Sequence, residues 1–339
     1  MFTKHRRTKL LAAIALLASG TVVASESESN KDSSDMVLIP AGEFVMGSNK
    51  EEKSNKKGEF GNTKPWYMDE HPQHTETLPD YYIDKYEVTN GAYKAFVEEA
   101  QVVPPEHWLD TGYVVALKLE KIKNLDVKTL RKIVTNVFKL DVDARMLKKE
   151  KLLALIDERL AALALLPVTH VTWGAANAYC SHVGKRLPSE KEWEKAARGS
   201  AGLEFPWGEK WGKAMSNAGS ESWKDGVAPA GSYDGDRSPY GVYDLAGNVT
   251  EWVADWYKAY PESDFESELF GETSRVARGA AWGGSGHYAL HLFQRGAYRH
   301  NLDPTMTYND VGFRCVKATD ERVGQSPVTA PTAPTNPAG

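Results

Sequence analysis

The most constraining stretch of this sequence is Tyr240–Trp256, which reads YGVYDLAGNVTEWVADW. It is followed by RGAAWGG at Arg278–Gly284 and by VGFRC at Val311–Cys315. Glycines allow backbone conformations that other residues avoid, and tryptophans placed close together indicate an aromatic-rich core or cleft. These segments therefore predict glycine-rich, irregular structure around aromatic side chains, and they contain side chains that could ligate an ion.

The overall composition sets broad limits. The chain has 339 residues and a formal net charge of −5, with 41% hydrophobic residues, 10 tryptophans and 15 tyrosines. This length easily supplies a core, and loop-rich folds of this size often form a single unit. A mildly acidic chain is not expected to be a dedicated nucleic-acid binder.

The N-terminus has the pattern of a secretory signal. Basic residues precede an apolar run from Leu10 to about Val23, and small residues at Val22 and Ala24 come just before Ser25. We expect a signal peptide over residues 1–24 and a periplasmic or secreted product with no transmembrane segment after cleavage. A membrane anchor is the alternative, but the run is short for a span of about 20 residues. Polar residues 25–35 and the Pro/Thr/Ala-rich residues 318–339 predict a disordered leader and tail.

Local patterns predict several regular elements. Met36–Ser48 reads as two short strands broken at Pro40–Gly42. Asn90 is expected to cap a helix that runs to about Ala100. A further helix is predicted over Trp173–Val183, and another begins at Ser189, where Glu192 completes a capping box. The region beyond it reads as glycine-rich and irregular.

Residues 114–166 differ from the rest of the chain, because their apolar residues recur at helical spacing. Lys and Arg outnumber Asp and Glu in this segment. In an exported protein we do not expect it to bind nucleic acid. We interpret it as an inserted helical subdomain that serves as a cap or a protein-docking surface.

The motifs together resemble the formylglycine-generating enzyme (FGE) family, also called sulfatase-modifying factors. The resemblance extends over residues 36–317, interrupted by the insertion at 114–166. Its further motifs are MVLIPAGEFVMGS at Met36–Ser48, DEHPQHTETLPDYYIDKYEVTNGAYKAF at Asp69–Phe96, PVTHVTWGAANAYC at Pro167–Cys180 and GKRLPSEKEWEKAARG at Gly184–Gly199. It implies an α+β, C-type-lectin-like mixed fold of low regularity with an inserted all-helical subdomain.

The resemblance also implies stabilising features. In an oxidising compartment two cysteines favour a bridge over a metal pair, and Cys180 and Cys315 stand where the family has a structural disulfide. The family binds two calcium ions through oxygen ligands. The matching positions here are Gly247, Asn248, Val249 and Glu251 for the first ion, and Asn217, Ala218, Asp225 and Val227 for the second. The alternative is that these residues only make turn and cap hydrogen bonds.

The family's chemistry does not carry over. Family enzymes bind copper(I) through two cysteine thiolates, soft ligands that suit this ion, but the corresponding run Gly283–Asn301 contains no cysteine. Copper and an organic cofactor are therefore not expected. We expect an exported accessory or maturation factor that binds a protein or peptide. The alternative is a metal-dependent oxidoreductase, formylglycine-generating or sulfoxide-synthase-like, that acts on a protein or thiol substrate with His287, His291 and Arg295 as candidate residues.

Overall fold

The computed structural model describes residues 35–51, 67–212, 214–218, 226–283 and 290–319. The predicted signal peptide, the leader up to residue 34 and the tail from residue 320 lie outside these ranges. Within them, no helix combines the length and the apolar character that crossing a bilayer requires.

Three short strands form a sheet that joins the two ends of the described chain. The strands are β1 (Met36–Ile39), β4 (Tyr81–Asp84) and β9 (Val316–Ala318), with β4 in the centre and antiparallel to both neighbours. A separate hairpin-like pair consists of β2 (Gly42–Met46) and β3 (His74–Leu78). The two predicted N-terminal strands thus exist, but they belong to different sheets.

A second sheet of four strands carries the glycine- and tryptophan-rich motifs. In spatial order it contains β7 (Arg299–Leu302), β6 (Arg275–Arg278), β5 (Thr250–Trp256) and β8 (Val311–Phe313), and only the β5–β8 pair is parallel. The sequence indicated irregular structure here. The first four residues of β5 are all buried, so the strand lacks the alternation of apolar and polar residues that reveals a half-exposed strand.

Three helices pack around these sheets: α1 (Asn90–Ala100), α6 (Trp173–His182) and α7 (Glu190–Arg198). The predicted capping box of α7 is present in both directions between Ser189 and Glu192. The cap of α1 is a correction, because Thr89, not Asn90, accepts a hydrogen bond from Ala92 N. The Asn90 side chain instead binds Leu163 O and Trp108 Nε1, at 3.0 and 2.8 Å.

The segment between α1 and α6 is helical. It contains α2 (His107–Thr111), α3 (Leu119–Lys123), α4 (Val127–Lys132) and α5 (Lys149–Ala164), with 3-10 turns at Tyr113–Lys118 and Ala144–Met146. Its apolar residues belong to the same core cluster as Phe313 of β8 and Trp252 of β5. The α+β fold with a helical region agrees with the sequence prediction.

Cys180 of α6 and Cys315, between β8 and β9, form a disulfide, and both residues are completely buried. They lie 135 residues apart in sequence. By chain entropy alone, closing a loop of this length stabilises the folded state by up to about 5 kcal/mol. The bridge links α6 to the short connection between β8 and β9.

Helix α7 is attached to the second sheet by buried ion pairs. Glu190 accepts hydrogen bonds from Arg278 of β6 and from Arg299 of β7, at 2.7–2.9 Å. Glu194, one turn later, accepts from Arg278 at 2.6 Å and from Arg198 of its own helix. Burial opposes ionisation of Glu194, but Arg278 and Arg198 outweigh it and lower its pKa. The two glutamates therefore act as charged anchors.

Replacing Glu194 with Gln keeps the shape of the side chain but leaves Arg278 and Arg198 short of one buried negative charge. Breaking a buried pair in this way typically costs about 3–5 kcal/mol. We expect a loss of this size in the free energy of unfolding measured with urea. The surface variant Glu43→Gln is the control, and a Glu194→Gln protein as stable as this control would contradict the anchoring role.

Two histidines stack where the helical segment meets the rest of the fold. His107 of α2 and His170, which precedes α6, have ring centroids 4.7 Å apart and an interplanar angle of 22°. His107 Nδ1 is buried and has no hydrogen-bond partner among the described groups. Burial, followed by the neighbouring His170, lowers the pKa of His107 to about 4. The stack therefore favours neutral rings.

This geometry predicts a pH dependence of stability. The unfolded chain binds a proton at His107 near its ordinary pKa of about 6.5, whereas the folded chain does so only near 4. The stability that neutral His107 contributes is thus complete above about pH 6.5 and is lost as the pH falls towards 4. His107→Phe should flatten this part of the curve of unfolding free energy against pH, whereas Lys128→Gln, at an exposed position of α4, should follow the wild type. Parallel curves for His107→Phe and wild type would refute the interpretation.

Candidate functional site

The turn before β5 brings the two predicted ligand sets together around one amide. Asn248 adopts a left-handed backbone conformation with φ 69°. Its Oδ1 accepts hydrogen bonds from Ala228 N at 2.8 Å and Asn217 Nδ2 at 3.0 Å. Its Nδ2 donates to Ala228 O at 3.2 Å and Glu87 Oε2 at 3.3 Å. Asn248 thus joins two segments rather than presenting an open oxygen atom.

Glu251 is held by an arginine. Its side chain is fully buried, and its two oxygens accept hydrogen bonds from Arg314 Nη2 and Nε at 2.6 and 2.7 Å and from Trp193 Nε1 at 2.8 Å. The remaining N–H groups of Arg314 donate to the carbonyls of Asp84, Lys85 and Tyr243. Arg314 therefore neutralises Glu251 and has no N–H left for another carboxylate.

Two further carboxyl groups next to this pair were not among the predicted ligands. Glu87 and Asp244 are 3% and 2% exposed and share a hydrogen bond, which Glu87 donates when protonated. Glu87 Oε1 has no donor among the described groups, and neither residue forms an ion pair within the described part of the chain. Burial, and then the charge of Asp244, raise the pKa of Glu87 well above its ordinary value. These surroundings thus favour the neutral, protonated form of Glu87.

The sequence contains a signal that could have identified Glu87 and Asp244 as buried acidic residues. Glu87 lies in EVTN and Asp244 in YDLAGN, both within the motifs that carry the family resemblance. Acidic residues within otherwise apolar or glycine-rich motifs are candidates for buried charge, since buried acids are rare unless they have a partner. Their proximity to each other could not be read from the sequence, because 156 intervening positions separate them.

The second predicted set is only partly described. Asn217 and Ala218 are 2% and 8% exposed. Asn217 Nδ2 donates to Gly226 O at 3.1 Å, and its backbone oxygen accepts from Asn248 N at 2.8 Å. Val227 is half-buried, and Asp225 lies outside the described residues. Asn217 therefore lies against the first set, so that the described members of both sets form one oxygen-rich cluster.

Arg295, one of the candidate residues, is part of an internal network of ion pairs. Arg295 is 2% exposed and its guanidinium binds Glu70 with two hydrogen bonds, at 2.9 and 2.6 Å. Its Nε donates to Glu204 at 2.6 Å, and Lys50 also pairs with Glu204. This arrangement joins the 3-10 turn Met68–Glu70 to the segment after α8 (Leu290–Phe293). Arg295 thus bridges two internal carboxylates and is not open to a ligand.

Only one of the two candidate histidines belongs to the described residues. His291 is exposed on α8, and His287 lies outside the described residues. His300 of β7 has its Nε2 at 3.1 Å from Gly279 O and packs edge-on against Tyr298. Across the described ranges, no three His, Cys, Asp or Glu side chains converge as a metal site.

Comparison with known proteins agrees with this architecture. The model of the sulfatase-modifying factor enzyme 1-like domain matches residues 22–319. The bovine "inactive C-alpha-formylglycine-generating enzyme 2" is 29% identical over 307 residues, which cover 87% of this chain and 92% of that protein. Mouse formylglycine-generating enzyme is 30% identical over 83% of this chain and 74% of its own length.

A solved structure shows the same fold. PvdO from Pseudomonas aeruginosa aligns with a TM-score of 0.51 and 24% identity, over 84% of this chain and 94% of PvdO. The family match spans the strands, the disulfide and the buried carboxyl groups of Glu87, Asp244 and Glu251. The chain belongs to the formylglycine-generating enzyme, or sulfatase-modifying factor, family.

Proposed function

We propose that this protein is an exported accessory or maturation factor that binds a protein or peptide and does not generate formylglycine. One observation carries the proposal. The sequence contains two cysteines, and both are joined in the Cys180–Cys315 disulfide. No thiolate is left to bind copper(I), which oxygen and imidazole ligands stabilise less well.

Two further observations support the proposal. A disulfide is typical of oxidising compartments outside the cytoplasm, which agrees with the signal pattern of residues 1–24 and favours a periplasmic or secreted protein. One relative with 29% identity is named as inactive. The framework motifs are nonetheless present, as expected for a protein that keeps the fold and uses its surface for binding.

We further propose that calcium is held as a structural ion by the cluster around Asn217, Asn248, Glu87 and Asp244, here called the Asn217–Asn248 cluster. Oxygen ligands from carboxylates, amides and carbonyls suit this ion. Buried Glu87 Oε1, which lacks a donor among the described groups, supports the fit. Glu87 and Asp244 would supply the charge. Gly247, Asn248, Val249 and Glu251 are the ligands that the family resemblance implies, and Arg314 already balances the charge of Glu251. Asn217, Ala218, Asp225 and Val227 would hold the second ion.

The oxidase reaction provides the direct test of the function. Purified full-length protein, supplied with copper and dioxygen, should leave the cysteine of a CxPxR peptide unchanged in mass spectrometry, because no thiolate pair is present. The Streptomyces coelicolor formylglycine-generating enzyme, a relative with 30% identity, is the positive control. Formylglycine formed by this chain would overturn the proposal.

The binding role needs its own measurement. A photo-crosslinking side chain at exposed Trp211, near Gln294, should capture a discrete protein when the chain is expressed with its signal segment in the native host. The matched control carries the same group at exposed Leu38 of β1. Equal or absent capture at the two positions would argue against binding at this face.

The calcium proposal predicts a specific effect of Glu87→Gln. At calcium concentrations about 100-fold above Kd, the ion should add about 2.7 kcal/mol to the unfolding free energy of the wild type. Glu87→Gln removes a carboxyl group that would ionise beside bound calcium, so we expect at least about tenfold weaker calcium binding, or about 1.4 kcal/mol. Unfolding curves with calcium and with EGTA give both values. Exposed Glu150→Gln is the control, and a wild-type stability unaffected by EGTA would exclude a calcium role.

A further inference from the structure

One end of the helical segment is strongly basic. Residues 126–151, here called the basic end, contain eight Lys or Arg against four Asp or Glu. The whole chain, in contrast, has a formal net charge of −5. Such a local excess of positive charge within an acidic protein is typical of a surface that meets an anionic partner.

The fold gathers the basic side chains of two helices at this end. Arg131 Nη2, near the end of α4, donates to Leu147 O at 3.3 Å, just before α5 begins. The exposed lysines on the two sides of this contact are Lys128 and Lys132 of α4 and Lys148 and Lys151 at the start of α5. Within each pair the residues lie about one helical turn apart, so their side chains leave the helix on the same side.

The acids of the basic end do not neutralise these lysines. Asp143 pairs with Arg145, with Oδ2 and Nη2 2.9 Å apart, and Asp126 caps α4 through two hydrogen bonds. The other two acids are Asp141 and Glu150. Within the described ranges, no carboxylate lies at ion-pair distance from any of the four exposed lysines. The basic end therefore keeps an excess of positive charge at its surface.

An apolar side chain projects from the same surface. Met146 is 88% exposed, and exposed Arg145 and Lys148 lie next to it in the sequence. An apolar side chain flanked by basic residues suits the boundary of a bilayer, because it can enter the acyl layer while the charged groups stay with the headgroups. A nucleic-acid backbone would use the lysines but offers no apolar layer for Met146.

We propose that the basic end binds the surface of an anionic phospholipid bilayer, with Met146 inserted below the headgroups. The lysines of α4 and α5 would lie near the lipid phosphates. The remainder of the chain is net negative and would be repelled, so the protein would lie on the membrane in one orientation. The inference goes beyond the accessory role proposed above and does not depend on it.

Co-sedimentation with vesicles measures this binding. The probes are vesicles of phosphatidylcholine alone and vesicles that also contain phosphatidylglycerol. Each charge near an anionic surface contributes about fivefold in affinity, so we expect at least about 100-fold stronger binding to the mixed vesicles. Added salt should weaken it. The predicted signal segment is itself basic and apolar, so every protein is prepared from the native host and its N-terminus is verified by mass spectrometry.

A triple lysine variant tests the charges. Lys132→Gln, Lys148→Gln and Lys151→Gln combined should weaken binding to the mixed vesicles about 100-fold. The matched control removes three exposed lysines outside the helical segment and should bind like the wild type. Its substitutions are Lys210→Gln, Lys258→Gln and Lys317→Gln.

A second variant tests insertion of the apolar side chain. Met146→Ser should weaken binding to the mixed vesicles about tenfold, because a methionine side chain no longer leaves water. Met306→Ser, at a position that is 54% exposed and lies outside the helical segment, should have no effect. Circular dichroism verifies that each variant remains folded.

Three results would rule the proposal out. They are equal binding to the two kinds of vesicle, unchanged binding of the folded triple lysine variant, and unchanged binding of folded Met146→Ser. Binding of the wild type to a DNA duplex or to an acidic protein, without binding to the mixed vesicles, would also rule it out and would assign the basic end to that class of partner. None of these results depends on calcium or on the oxidase assay.

Discussion

The contact between α7 and the second sheet combines apolar packing with buried ion pairs, and much of the fold depends on the ion pairs. Glu190 and Glu194 lie one helical turn apart and hold arginines from β6 and β7. Arg299 also donates to Asp69 O, and Arg198 to Gly47 O, so the same network fixes the N-terminal segments. Buried pairs of this kind require every member, because an unmatched charge in a core is strongly unfavourable.

The motif VGFRC combines two such attachments in adjacent residues. Arg314 neutralises Glu251 and binds three backbone carbonyls, and Cys315 is joined to α6 by the disulfide. Both features stabilise the scaffold, and neither requires the copper-dependent oxidase chemistry of the family. A chain can therefore keep this motif for folding alone, which is why framework motifs identify the family more securely than they identify an activity.

Helix caps could be predicted from the sequence where a few neighbouring residues determine them. The capping box at Ser189 and Glu192 depends on positions three residues apart and was predicted correctly. The cap of α1 was misassigned because both Thr89 and Asn90 are good capping residues, and the choice depends on distant partners of Asn90, namely Trp108 and Leu163. The contact between Glu87 and Asp244 could likewise not be predicted from the sequence, since only the folded chain brings the two residues together.

The chain leaves and re-enters the sheet-bearing part of the fold at almost the same point. Val168 N donates to Val88 O at 2.9 Å, Asn90 N donates to Leu166 O at 2.8 Å, and Thr89 pairs with Pro167 as an isolated bridge. Everything between these residues precedes Cys180 and so lies outside the loop that the disulfide closes. The entropy of closing such an excursion grows only with the logarithm of its length. The length of this segment can therefore change at little entropic cost and without disturbing the covalent ring that Cys180 and Cys315 close.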